Sequence, residues 1–255
     1  MVFPVYWMVS TAFKPGNDVL TYRPQWFPER PTLANFRDAI GRPFFWDNVK
    51  NSLIVVGAVV VIALVLAFLA AVALAKFRFF GRRAFVVVIF GVQMVPLAAL
   101  IIPLYIMLSG FGQVDRLSGL VITYVAFVLP FCVWTLRGFV AGVPKELEEA
   151  AMVDGSTRFG AFVRIMLPLV APGLVATSIF AFIQAWNEFL IAYVLLSSQE
   201  KQTLTIWLAN FTTLRGTDWG SLMAGATLTA VPVVVFFVLV HRRIAFGLTA
   251  GAVKS

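Results

Sequence analysis

Residues 138–173 read GFVAGVPKELEEAAMVDGSTRFGAFVRIMLPLVAPG, and their local chemistry spells helix, turn, helix. Pro144 suits the first helical position, where its missing N–H has no partner to lose. Glu146, Glu148 and Glu149 favour the positive end of the helix dipole. Asp154-Gly155 reads as the stop, because Gly155 takes a left-handed cap without a Cβ penalty. Ser156 or Thr157 can cap a second helix, amphipathic through Phe159, Phe162, Val163 and Ile165. Pro168 and Pro172 are expected to interrupt that helix.

On both sides of this segment the sequence turns apolar for long enough to cross a bilayer, which takes about 20 residues in a helix. Charge-free runs occupy residues 52–75, 84–108, 117–136 and 219–240. A fifth run, 169–198, holds one ionisable residue, Glu188. Residues 1–13 are apolar but too short to span, and they lack the cationic start of a signal peptide. They read as the outer part of a truncated first span. The expected fold is an all-α integral membrane protein with six transmembrane helices, the first truncated. A single domain is expected over 1–255, its core spans covering about 48–243 and its helix-turn-helix loop 138–173.

Composition agrees. Of 255 residues 60% are hydrophobic and 13% charged, with a mean hydropathy of +0.91. A soluble domain carries nearer a quarter charged residues, so an ordinary soluble enzyme and a disordered chain are both excluded. The net charge of +8 is scattered between apolar runs, not gathered in a patch, which points to membrane lipid and away from nucleic acid. One cysteine, Cys132, and one histidine, His241, leave no disulfide, no metal set and no catalytic constellation built on them. Cys132 reads as core packing.

The basic residues also orient the chain. Lys76, Arg78, Arg82 and Arg83 crowd one short link, whereas the link 109–116 carries only Arg116 beside Asp115. Arg242 and Arg243 follow the last run. Positive residues collect on the cytoplasmic side, so both termini and the loop 138–173 are expected there. Residues 14–50, with five prolines among aromatics, then read as a folded outer cap.

Small residues recur at helical spacing: Ala63, Ala67, Ala71 and Ala75; Gly173, Thr177, Ala181 and Ala185; Ser221, Gly225 and Thr229. Such stripes let helices approach closely, within one bundle or against another subunit. Thr177, Ala181, Gln184 and Glu188 share one helical face, with Asn187 beside it. An intramembrane carboxylate usually faces protein or water, so this face either borders a translocation path or holds neighbouring backbone. Gln93, near Pro96 and Pro103, can line the same path or mark a kink.

The run Glu149-Ala150-Ala151, three residues, Gly155, nine residues, Ile165-Met166-Leu167-Pro168 resembles the EAA loop of bacterial ABC importer permeases. Asp154-Gly155-Ser156 and Phe162 add to the likeness. Ser10-Thr11-Ala12-Phe13-Lys14, Asn35-Phe36, Ala185-Trp186-Asn187-Glu188-Phe189 and Gly247–Lys254 resemble the carbohydrate branch, of the maltose, trehalose and glycerol-phosphate type, on the side of the smaller six-span subunit. The resemblance implies a pore-forming subunit moving a sugar-like solute from an external binding protein into the cytoplasm by alternating access. It also implies a second permease subunit, two ATPase subunits and residence in the bacterial plasma membrane. Glu149, Ala150, Ala151, Asp154, Gly155 and Ser156 would seat in the ATPase, which would use ATP and Mg. This sequence has no G-x-x-x-x-G-K-[ST] phosphate loop, so no cofactor is expected on this chain. The tail 245–255 reads as a dock on that ATPase or as a free end. A self-sufficient secondary transporter or channel is the alternative, and it predicts several ionisable residues at the midplane.

Overall fold

The computed structural model describes residues 2–214 and 216–249, of which 241–249 are described by backbone only. The tail beyond Thr249 therefore lies outside the described residues. Helices α1 (Phe3–Ala12), α2 (Gly16–Val19), α3 (Ala34–Gly41) and α4 (Phe45–Lys76) open the chain. Next come α5 (Arg82–Gln93), α6 (Leu97–Gly110), α7 (Leu117–Ala141), α8 (Lys145–Val153) and α9 (Arg158–Ala161). Helices α10 (Leu167–Asn187), α11 (Leu190–Leu195), α12 (Leu204–Ala209) and α13 (Trp219–Thr249) complete the set. The strands β1 (Thr212–Thr213) and β2 (Gly216–Thr217) pair antiparallel, with Thr212 opposite Thr217.

Among the described residues, four helical runs are long and apolar enough to cross a membrane: Phe45–Lys76, Leu117–Ala141, Arg158–Asn187 and Trp219–Val240. The run expected at 84–108 is two helices, α5 and α6, bent by 101°. The break falls where Pro96 biases its predecessor away from helical backbone and itself adopts an extended conformation (ψ 130°). Counted as one span, this pair makes five. Helix α1, at ten residues, is about 15 Å long, too short to cross a bilayer's hydrocarbon core.

Two further expectations, about the second loop helix and about the fifth run, need correcting. Pro168 and Pro172 do not interrupt the loop helix before the fifth run, because helix is continuous from Arg158 to Asn187. A π-helical turn at Phe162–Met166 widens the backbone beside Pro168, where a proline ring would otherwise press on the carbonyl four residues back. The helix stops at Asn187 instead of continuing to 198, and restarts as α11.

The chain forms two compact units, each assembled from three separate stretches. One comprises Met1–Ile54, Val114–Leu117 and Asn187–Phe236. In it the expected cap is folded. Buried Asn35 donates from Nδ2 to the carbonyls of Ala12 (2.9 Å) and Lys14 (2.7 Å), and Phe13 packs on Phe36. The Lys14 ammonium, 2% exposed, donates to the Gln25 carbonyl at 2.7 Å and lies over the Trp7 ring. Burial pulls the Lys14 pKa down, partly offset by Asp18. Further along, Asn51 Nδ2 donates to the carbonyls of Glu200 and Gln202, and Ser52 Oγ accepts from the Leu204 N–H at 2.8 Å. These bonds pin the 199–204 stretch to the start of α4.

The other unit comprises Val55–Gln113, Ser118–Trp186 and Phe237–Ser255. Its core includes Val59, Ala63, Ala67 and Ala71 of α4, each fully buried, with Leu120, Cys132, Leu136 and Val140 of α7 and Val170 and Ala181 of α10. The alanine stripe therefore packs inside the chain, and Cys132 is core. Gly173 is required by close approach: a Cβ there would lie 2.4 Å from Cγ of Phe139.

Candidate coupling loop and translocation face

Helix α8 carries Glu146 and Glu148 in its first turn, where a carboxylate complements the unpaired N–H groups. Pro144 precedes it as the extended N-cap, one residue earlier than the sequence suggests. At its other end Gly155 adopts φ +89°. The Gly155 N–H donates to the Met152 carbonyl (3.1 Å) and the Ser156 N–H to that of Ala151 (2.9 Å). This paired closure is the left-handed cap in which glycine avoids strain. Thr157, not Ser156, caps the second helix, accepting from the Gly160 N–H at 3.1 Å.

The loop is anchored at its base and bare at its tip. Val143, Ala161 and Met166 are buried, and Phe162 meets Phe68 of α4 with ring centroids 5.4 Å apart. Lys76, in the last turn of α4, forms an ion pair with Glu148 at 2.6 Å and donates to the Val143 carbonyl at 3.0 Å. By contrast Glu149, Ala150 and Asp154 are exposed. So are Met152, Val153 and Phe159, at 38%, 86% and 75%. Apolar side chains this exposed on a capped and pinned element are unusual on a soluble surface, where large apolar patches mark interaction sites.

The residues of the expected translocation face sit in different settings. Thr177 is fully buried in α10, whereas Gln184, on the same helical azimuth, is exposed, as is Asn187 at the helix end. Glu188 lies just past α10, and its carboxylate accepts from the N–H groups of Ile191 (2.8 Å) and Ala192 (3.1 Å). Its carbonyl accepts from the Thr205 hydroxyl at 2.9 Å. The carboxylate thus caps α11, which supports its holding neighbouring backbone. Gln93 is exposed at the end of α5 and donates to the Phe127 carbonyl at 3.2 Å.

The family of binding-protein-dependent transport system inner membrane components matches residues 47–249. The chain belongs to that family. This inner membrane component is 48% identical to the diacetylchitobiose uptake system permease protein of Streptomyces coelicolor, over 100% of this chain and 92% of that protein. It is 36% identical to the trehalose transport system permease protein of Mycobacterium tuberculosis, over 100% of this chain and 93% of the relative. A solved bacterial ABC transporter involved in import of the acidic polysaccharide alginate shares the fold, with a TM-score of 0.81 at 22% identity, covering 94% of this chain and 90% of that one. The protein is a multi-pass membrane permease subunit.

Two devices of this permease are invisible in its sequence. The Lys76–Glu148 pair joins residues 72 positions apart (148 − 76), and Lys76 reads in sequence only as one more cytoplasmic cation. Asp115, held at φ 57°, accepts from the N–H groups of Ser197 and Ser198, the Ser198 hydroxyl and the Lys201 ammonium at 2.6–3.0 Å. Burial would raise the Asp115 pKa, but the bonds from Lys201, Ser198 and Ser197 outweigh it and hold the carboxyl well below the usual range.

Proposed function

We propose that this permease is the pore-forming subunit of an ATP-driven importer that takes a neutral sugar from an external binding protein into the cytoplasm. It works beside a second permease subunit and two ATPase subunits, which bind the ATP and Mg. The observation that carries this reading is the loop 138–173: its tip is exposed and apolar, its cap rigid, its base tied to α4 by Lys76 and Glu148. A loop built in this way transfers a push, where a floppy one would absorb it. Glu149, Ala150, Ala151, Asp154, Gly155 and Ser156 face the ATPase, with Glu149 able to accept charge-assisted hydrogen bonds. Cytoplasmic termini follow from the basic links. The named sugars of the two relatives support a saccharide as cargo, and exposed Gln93, Gln184 and Asn187 supply uncharged polar groups for its path.

Gly155→Pro and Glu149→Lys test the loop. Proline cannot reach φ +89°, and lysine inverts the charge offered to the partner. Both variants should stay in the membrane while the ATPase fails to copurify or hydrolyses ATP without uptake. Normal copurification, turnover and uptake in the same membranes would remove the loop from the mechanism.

A further inference from the structure

Where residues 42–48 meet residues 199–210, the first unit forms a half-open pocket of about 350 Å³, within the size range of small-molecule sites. Four amide side chains line it: Asn48, Gln199, Gln202 and Asn210. Phe44 and Trp207 supply aromatic wall. No carboxylate lines it among the described residues. Its one cation, Arg42, is already engaged: it stacks on Phe211 at 3.6 Å and pairs with Asp218 at 3.2 Å.

Two wall residues carry buried polar atoms with no hydrogen-bond partner. Asn48, 2% exposed, leaves its Oδ1 unmatched, and Trp207, 3% exposed, leaves its indole N–H unmatched. A buried acceptor and a buried donor left open are costly and rare in folded proteins. Phe44 beside them holds φ 61°, a backbone region that disfavours side chains of its size, and strain of this kind gathers at ligand sites. The walls are fixed, since Asn51 pins the Glu200 and Gln202 carbonyls.

We propose that this cavity is a binding subsite for a neutral polyhydroxyl ligand, one sugar unit of the transported solute. It rests on the sugar-import reading above. Hydroxyl groups both donate and accept, and so do amide side chains, whereas an anion would find only a neutralised arginine and a cation no carboxylate. The aromatic wall takes the apolar face of a sugar ring.

The test uses the assembled complex with Cys132→Ala and Gln199→Cys in this chain, labelled first without and then with its binding protein. A small polar thiol reagent is applied with trehalose, diacetylchitobiose or maltose, and uptake of each sugar is measured in parallel with the binding protein present. A sugar that the wild type imports should slow labelling at position 199. At about ten times its Kd the rate should fall about tenfold, the free fraction left by simple occupancy. Asn48→Leu, or Gln202→Ala should the first variant fail to assemble, should abolish that protection. Labelling at Leu214→Cys, outside the cavity, should be unchanged. Import without protection overturns the subsite while leaving the transport reading intact. Protection only by binding protein, alike with and without sugar, makes the cavity a protein dock and overturns it too. Import of none of the sugars overturns the sugar reading itself, and the subsite with it.

Discussion

Glu188 shows how a carboxylate survives in an apolar run: it sits in the break just past α10 and caps α11, accepting two N–H groups at 2.8 and 3.1 Å. Asp115 does comparable work outside the spans. Its pKa is lower in the folded protein than in the unfolded chain, so its stabilisation is complete above the unfolded value of about 3.9 and is lost as pH falls through the folded one. Between pH 5 and 8 its hold on residues 197–201 should therefore not vary. Asp115→Asn should remove that hold at every pH in this window, read as faster tryptic cleavage after Lys201; equal cleavage would show that the segment stands without it. Thr177 is the opposite case, a fully buried hydroxyl with no hydrogen-bond partner. Leaving such a group unpaired costs about 1–3 kcal/mol, so Thr177→Val should melt at the same temperature as the native complex or higher. Lost uptake with unchanged melting would place Thr177 on the path.

Among helices, packing distances decide which glycines matter. Gly173 of α10 stands against Phe139 of α7, where a Cβ would fall 2.4 Å from a ring carbon, whereas Gly57 of α4 has nothing within 4 Å. Gly173→Ala should cost about 1–3 kcal/mol by overpacking. Gly57→Ala should be neutral or stabilising by up to about 1 kcal/mol, since alanine is the better helix former. Thermal unfolding of both variants, side by side, checks the contrast. The elements differ likewise in how far they could be read in advance. Gly155 and the cap on α9 were legible because cap chemistry is local to a few residues. The bend between α5 and α6 was not, since an apolar run reads the same whether it continues or folds back, and only Pro96 hinted at it. The continuity of helix through Pro168 was hidden for the opposite reason: the π turn that accommodates the proline has no composition of its own.

Across the molecule, what sequence could not disclose is convergence. Asn48 and Trp207 meet at one cavity from stretches more than 150 residues apart, and Lys76 reaches Glu148 from the end of another helix. That pair is partly buried, with side chains 12% and 23% exposed, so it resists screening better than a surface pair. Lys76→Glu should set two acids together and reduce ATPase copurification, and adding Glu148→Lys should recover part of it. No recovery in the double variant would assign the loss to Lys76 alone, through its bond to the Val143 carbonyl. The π turn at Phe162–Met166 has a larger consequence. It lodges one surplus residue in the helix that runs from the loop to Asn187, and one residue is about 100° of rotation. Which side of the loop is offered outward is thus keyed like a lock tumbler by chain length. A chain one residue shorter between 161 and 167 would carry identical loop chemistry turned about 100° from the direction it now faces.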